Sequence, residues 1–343
     1  MFRLLNLVVC TLTFASYLGS YLHPYTFWPF AFLGLFFPLL ALANVGWIGY
    51  WLLTQKHKRW AWMSAVTLLA GWPHLGGLFG IHVASLAKQE GIRVLSYNVR
   101  RFQPYKEESK SMISAAEWRE NLEAYQPDIL CVQEYDRSTK LEPADICREV
   151  GLPHQFRIKG NELGIFSRFP IEHSESHLFN NLYGYQFADI SMDGRMVRVF
   201  NVHLQSNGIT GIASRVAENG SFGEKRTWLD IRGMLSRYRK AARVRTEQTA
   251  LIMKALQESP YPVLLCGDLN DVPQSYVYHQ LNSLLDDAFK KAGWGIGITY
   301  AGPIPGLRID TILADSVLKI KSCRIGRTEF SDHHPVLAVV AWE

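Results

Sequence analysis

Three apolar runs free of charge open the chain: Leu4 to Leu22, Phe27 to Leu53 and Trp60 to Ala87. Each approaches or exceeds the roughly 20 residues that a helix needs to cross a hydrocarbon core. The pattern predicts three transmembrane helices, over 4–22, 27–53 and 60–87. Long apolar runs follow the first, and no small-x-small cleavage site precedes them, which argues against a cleaved signal peptide. Pro73, His74 and a group of glycines weaken the third run as a helix, leaving it kinked or partly interfacial.

After Ala87 the pattern changes to short runs of β-formers, each ending on a polar residue, which predicts a second region over 88–343. The runs are Ile92 to Val99, Ile129 to Glu134, Leu163 to Ser167, Val197 to His203, Val263 to Leu265, Arg308 to Leu313 and Leu337 to Ala341. Helical spacing appears at Ala115 to Tyr125 and Glu224 to Leu256, whereas the Gly/Ser/Asn-rich stretch Thr210 to Phe222 reads as a loop. The class is therefore α/β, with polar strand ends converging on one sheet edge, where layered folds place their ligands.

Charge separates the same two regions. The first 87 residues hold four basic and no acidic residues, leaving 32 basic against 31 acidic in the remainder of a chain of net +5. A near-neutral second region gives no electrostatic footprint of a nucleic-acid partner. The short basic loop from Gln55 to Arg59, set against His23 to Thr26 without Lys or Arg, puts the former in the cytoplasm. Three spans then carry residues 88–343 to the other side, which makes the chain a multi-pass protein of a bacterial inner membrane with its soluble domain outside the cytoplasm. Eight basic residues between Lys225 and Arg245, against Glu224 and Asp230, read either as a solvated helix face or as an arm on anionic lipid, each such residue adding about 1 kcal/mol near a membrane. The five cysteines form no C-x-x-C pair, and Cys131 and Cys266 read as small buried thiols.

The candidate chemistry sits at the strand ends. Gly267-Asp268-Leu269-Asn270 presents a carboxylate and a carboxamide two residues apart at the end of an apolar strand. Read singly, Asp268 is a turn residue, Asn98 a strand end, Glu134 a surface acid, His203 a core histidine and Asp310 a partner for Arg308. Together, Glu134, Asp268 and Asp332 with Asn98 and Asn270 offer the oxygen ligands that a hard divalent cation takes. Histidines supply acid–base function near neutral pH.

The ordered set Leu-Ser-Tyr-Asn98-Val, Val-Gln-Glu134, Gly-Ile-Phe-Ser-Arg-Phe-Pro, Asn-Val-His203-Leu, Gly-Asp268-Leu-Asn270-Asp, Arg-Ile-Asp310 and Ser-Asp332-His333-His-Pro resembles the endonuclease/exonuclease/phosphatase superfamily over about Arg93 to Ala341. The resemblance implies a DNase I-like four-layer sandwich, two packed mixed sheets with helices outside. It implies Mg²⁺, with Mn²⁺ as a substitute, held by Glu134, Asn98 and Asp332. His333 polarised by Asp310, Asp268 with Asn270, and His203 would be catalytic, and Asn98, His203 and Asn270 would bind the substrate phosphate. Whether His333 or Asp268 is the general base stays open. Arg100 stands where the abasic-site endonucleases carry a metal-binding acid, and Thr311 where many members have an aromatic. The expectation is a membrane-anchored phosphodiesterase or phosphatase acting on a phospholipid or other envelope phosphoester, a lipid-linked substrate being favoured over nucleic acid. The alternatives are an extracytoplasmic nuclease of low sequence specificity and a non-catalytic binding module of the same fold.

Overall fold

A computed structural model of the chain describes residues 1–54, 58–83, 89–102, 114–135, 148–158, 160–180, 182–221 and 223–343. The amino-terminal region consists of helices α1 (Phe2–Leu18), α2 (Pro24–Gly34), α3 (Phe37–Leu53), α4 (Arg59–Ala70) and the single turn α5 (Trp72–Leu75), followed by strand β1 (Phe79–Ile81). Among the described residues no single helix is long and apolar enough to cross a membrane, which corrects the expectation of three full spans. The cause is in the sequence. Pro38 lies in the first turn of α3, so the second run breaks at Leu35–Phe36, and α2 and α3 reach the length and hydropathy of a span only together, as a pair bent by 53°. The third run stops being helical at Gly71, where Pro73 follows, and its last part becomes β1. The residues 55–57 of the basic loop and residue 88 of the expected linker lie outside the described residues.

Helices α1, α3 and α4 form an up-down-up bundle. Phe2 stacks obliquely near Tyr50 at one end, with ring centroids 5.5 Å apart, and Tyr17 meets Phe37 at the other, 5.8 Å apart, so α1 and α3 are antiparallel. The Asn6 carboxamide donates to Ser64 Oγ at 2.7 Å and the Tyr17 hydroxyl to the Thr67 carbonyl at 3.1 Å, so α1 and α4 run parallel. The bundle interior mixes polar and apolar side chains: Asn6, Thr13, Ser16, Asn44, Ser64 and Thr67 are buried together with Tyr17, Phe37, Ala41 and Trp51, while Leu4, Val8, Leu42, Val45, Leu53, Trp62, Val66 and Leu69 face outward. Helix α2 packs both on α1 and on the rest of the molecule.

The remaining elements are β2 (Ile92–Asn98), α6 (Ala115–Glu123), β3 (Ile129–Gln133), β4 (His154–Phe156), β5 (Gly164–Ser167), β6 (Ile171–Leu178), β7 (Gly184–Met192), β8 (Arg195–His203), α7 (Thr210–Asn219), α8 (Lys225–Gln257), β9 (Val263–Asp268), α9 (Tyr276–Asn282), β10 (Asp286–Asp287), α10 (Ala288–Ala292), β11 (Trp294–Ile296), β12 (Asp310–Ala314), β13 (Leu318–Ile325) and β14 (Val336–Trp342). They build two six-stranded mixed sheets, ordered β10-β12-β9-β8-β7-β6 and β13-β14-β2-β3-β5-β4. Inward side chains of both, among them Val94, Ile129 and Cys131 facing Val199, Leu264 and Cys266, form the central core. Trp118 and Leu122 of α6 cover one outer face, and Ile252 and Leu256 of α8 with Leu281 of α9 cover the other. This is the expected four-layer sandwich. Cys10, Cys131, Cys266 and Cys323 are buried, and Cys147 lies outside the described residues.

Local sequence explains most boundaries. Ser114 and Glu117 close a capping box at the start of α6, and Ser275 accepts from the Tyr278 amide at the start of α9. The expectation of a loop over 210–222 is corrected in its first part: Thr210–Asn219 is helical. Ile212 is buried there, and Arg215 pairs with Asp230 of α8 at 3.2 Å, so packing overrides a poor helix composition. Strand β1 pairs antiparallel with β11, Gly80 opposite Gly295, which sews the amino-terminal region to the sandwich.

Candidate active site

Strand register brings the polar strand ends together. In the parallel pair β8–β9, His203 lies opposite Asp268, and in the antiparallel pair β9–β12, Asp268 lies opposite Asp310. Three strands of one sheet thus present His203, Asp268 and Asp310 side by side. In the other sheet, β2 and β3 pair in parallel with Asn98 opposite Gln133, and Glu134 follows directly. Gly267 makes the first arrangement feasible: its φ is +154°, and a Cβ there would lie 2.1 Å from the Val202 carbonyl oxygen.

The two halves meet through amides. Asn98 Nδ2 lies 3.2 Å from Glu134 Oε1 and 3.1 Å from Asp268 Oδ2, so one carboxamide donates to a carboxylate from each sheet. Its Oδ1 accepts from the Arg100 amide at 3.0 Å. Behind it, Gln133 donates to Asn201 Oδ1 at 2.7 Å, and the Asn201 amide donates to the carbonyls of Val132 and Gly164, all buried between the sheets. Glu134 and Asn270 adopt positive φ, 54° and 50°, the kind of backbone cost that clusters where geometry is overdetermined.

His333 Nδ1 sits 3.1 and 3.0 Å from the two Asp310 oxygens, while its Nε2 is 3.9 Å from Asp268 Oδ2. Ser331 Oγ donates to the Asn98 carbonyl and accepts from the His333 amide, and Thr299 Oγ1 accepts from the amides of Ile309 and Asp310. Asn270 donates both from its backbone N–H to Asp268 Oδ1, at 2.8 Å, and from its carboxamide to Asp268 Oδ2, at 3.2 Å. His203 Nε2 is 3.7 Å from Asp268 and 3.9 Å from Glu134. All eight residues singled out in the sequence therefore share one cleft or border it. Asp332 stands at its rim, with Arg100 Nε 3.6 Å from its carboxylate.

Burial and neighbouring charge separate these groups in protonation. Burial raises the Asp268 carboxyl, the Asp310 charge raises it further, and together they bring it to about 7 against the pull of His333. For His333 burial acts downward, but the carboxylates of Asp310 and Asp268 outweigh it and hold the imidazole at about 10. Burial takes His203 down to about 4, so it is neutral at pH 7. The site thus offers a carboxyl poised near neutrality beside a protonated imidazole. Glu134, Asp268, Asp310 and Asp332 around one cleft form an oxygen-rich, anionic donor set, and Asp268, Asp310 and His333 have ligand atoms all within 4.8 Å. Such a set fits a hard divalent cation.

Several contributors were not visible in the sequence. Ser206, Asn207, Tyr300 and Leu35 line the cleft, Leu35 from the break between α2 and α3. Arg245, counted in the sequence within a basic arm, is buried and pairs with Asp271 at 3.0 Å, its Nη1 donating to Asn207 Oδ1. Arg308 does not pair with Asp310: it forms a two-pronged pair with Asp287, at 3.1 and 2.7 Å.

The sequence profile of the endonuclease/exonuclease/phosphatase family matches residues 95–333, and that of a domain of unknown function matches residues 1–78. No curated protein sequence matches the chain significantly. Among solved structures, the chain is similar to an endonuclease/exonuclease/phosphatase from Beutenbergia cavernae, at 16% identity and a TM-score of 0.53, over 74% of this chain and 72% of that one. A 3′ phosphatase from Neisseria, bound to a product DNA hairpin, is similar at 19% identity and 0.51, over 73% of this chain and all of that one. An endonuclease/exonuclease/phosphatase from Bacteroides vulgatus gives 16% and 0.50, over 74% and 100%. With the family profile spanning more than two thirds of the sequence and its strand-end residues gathered in one cleft, the chain belongs to the endonuclease/exonuclease/phosphatase family, whose members hydrolyse phosphoester bonds.

Proposed function

We propose that the protein is a membrane-anchored, Mg²⁺-dependent phosphoester hydrolase acting on a phospholipid or other envelope phosphoester. The observation that carries the reading is the alignment of His203, Asp268 and Asp310 across three strands, with His333 and Glu134 facing them. Glu134, Asn98 and Asp332 would hold the cation, with Mn²⁺ as a substitute. When bound, it supplies positive charge to the phosphoryl oxygens and favours ionisation of water.

The chain's own groups do the rest. Asp268, pushed to about 7, accepts a proton from the attacking water, and Asn270 fixes the direction of its oxygens. Neutral His203 donates a hydrogen bond to a phosphoryl oxygen as charge develops there. His333, oriented through Nδ1 by Asp310, presents a protonated Nε2 toward the cleft, where it stabilises charge and protonates the leaving oxygen.

The membrane part of the reading is supported by the α1–α3–α4 bundle, which buries Asn6, Asn44, Ser64 and Thr67 and turns Leu4, Val8, Leu42, Val45, Val66 and Leu69 outward, as helices in lipid do. Packed up, down and up, α1, α3 and α4 leave the amino terminus at the end away from the sandwich, and since none of them is long and apolar enough to cross a bilayer of ordinary thickness, the proposed anchoring is by a bundle shorter than a full span. Short helices of this kind are accommodated by local thinning of the bilayer. We place the sandwich outside the cytoplasm, and an alkaline phosphatase fusion at the carboxyl terminus is expected to be active in a bacterial host. A silent fusion beside an active cytoplasmic reporter overturns that topology.

The activity itself is tested with the full chain in detergent, with Mg²⁺ or EDTA, on bis-p-nitrophenyl phosphate, a sphingomyelin-type lipid, a polyprenyl pyrophosphate and plasmid DNA. Hydrolysis is expected with Mg²⁺, lost in EDTA, restored by excess Mg²⁺, and faster on a lipid than on plasmid. Cleavage of plasmid alone moves the assignment to a nuclease, and inertness toward the whole panel favours a binding module.

A further inference from the structure

We propose that the break between α2 and α3 is part of the substrate site, and that the hydrocarbon adjoining the phosphate of a lipid phosphoester lies on an apolar wall formed by Leu35, Ile209, Ile304 and Leu307. These four border the same cleft as Glu134, Asp268, Asn270 and His333, with Ile304 the partly exposed member and Leu35, Ile209 and Leu307 buried behind it. They also belong to one apolar cluster that joins α2 to the sandwich, in which Ala31, Leu35 and Phe32 meet Ile209, Tyr238 and Leu307. The cleft therefore has a charged end, where phosphorus would react, and an aliphatic side contributed partly by the amino-terminal region. The inference deepens the lipid reading given above and rests on it.

The break is fitted to the cleft. Gly306, in the segment leading into β12, has φ +84°, and a Cβ there would lie 2.9 Å from Pro38 Cβ, so the cleft loop and the start of α3 interlock where the helix pair bends. The Phe32 ring meets the Tyr238 ring edge-on at 5.1 Å, which anchors α2 to α8. The occupant follows from continuity. The wall begins at the bend of the most apolar helix pair in the chain, and that pair leads into the bundle whose outer face is aliphatic. A phosphoester drawn from a bilayer brings hydrocarbon along that path, whereas a nucleotide or an inositol phosphate brings hydroxyls and charge, which an aliphatic wall leaves without partners.

The test compares two esters with the same leaving group, p-nitrophenyl butyl phosphate and p-nitrophenyl decyl phosphate, on the full chain at one fixed detergent concentration. Each methylene moved from water to the wall is worth about fourfold, so kcat/KM for the decyl ester is expected to exceed that for the butyl ester at least tenfold. In Ile304→Ser, a half-exposed position, and in Leu35→Ala, the ratio is expected to fall at least threefold, and partition into micelles cancels between the proteins. A wild-type ratio near one overturns the inference, and so does a ratio preserved in both variants. Binding of decyl phosphate and butyl phosphate, measured by calorimetry, gives the same ratio without turnover. Absence of hydrolysis with the binding ratio present therefore sinks the hydrolase reading and leaves the wall standing, while a flat binding ratio with hydrolysis intact does the reverse.

Discussion

His333→Ala is expected to lower phosphoester turnover by about 10²–10⁴, the usual cost of removing a positioned acid or base. Glu134→Ala is expected to fall at least as far. Glu134 sits on a left-handed turn with 28% of its side chain exposed, whereas His333 is buried against Asp310 and the Ser331 hydroxyl, so its substitution also strands the Asp310 carboxylate and its loss of rate is read beside its loss of stability. Steady-state rates on bis-p-nitrophenyl phosphate, with circular dichroism and thermal unfolding beside them, make the check. Near-wild-type rates in both variants would remove the cleft from consideration as the active site. Asp310→Asn is a useful companion, because it keeps the hydrogen-bonding shape while removing the charge that holds His333 at about 10.

Asp287→Ala is expected to destabilise the protein by about 3–5 kcal/mol, because it strands the buried Arg308 guanidinium without its partner. The pair is enclosed: Arg308 is 4% exposed and Asp287 1%. Asp287 also accepts from the Tyr278 hydroxyl at 2.5 Å and from the Lys290 amide at 2.9 Å. Burial by itself would raise the Asp287 carboxyl, but Arg308 overrides it and holds it at about 2. A folded-state value below that of the unfolded chain means that this contribution is complete above about pH 4 and is lost as pH falls through about 2. Replacing both residues by apolar ones, Asp287→Leu with Arg308→Met, is expected to recover most of the loss. Urea unfolding of the full chain in detergent measures all three; an Asp287→Ala midpoint equal to wild type contradicts the account.

The candidate site was largely legible in the sequence because strands have a period of two. An apolar run that ends on Asn98, Glu134, His203 or Asp268 delivers that residue to the sheet edge, and the order of the blocks fixed which family the edge resembled. What the sequence withheld depends on contacts far apart along the chain. Leu35 reads as one more apolar residue in a span, and only the bend beside Pro38 brings it to the cleft. Arg245 counts as charge on a helix until Asp271 is seen against it, and Arg308 looks paired with its near neighbour Asp310 until Asp287 claims it. Hydropathy found the apolar runs correctly and overstated their helices, because it weighs Phe79 and Ile81 the same way in a span and in a strand.

The buried amides Gln133 and Asn201 act as a key between the two sheets. Each sheet carries half of the cleft, so a slip of one residue between them would turn Glu134 away from Asp268. The key resists that slip, because the Gln133 amide donates to Asn201 and the Asn201 amide to two backbone carbonyls of the other sheet, and a shifted arrangement breaks all three bonds in a buried interior. The alignment of the cleft is therefore held from behind, by buried amides set between the sheets rather than by the groups that line the cleft.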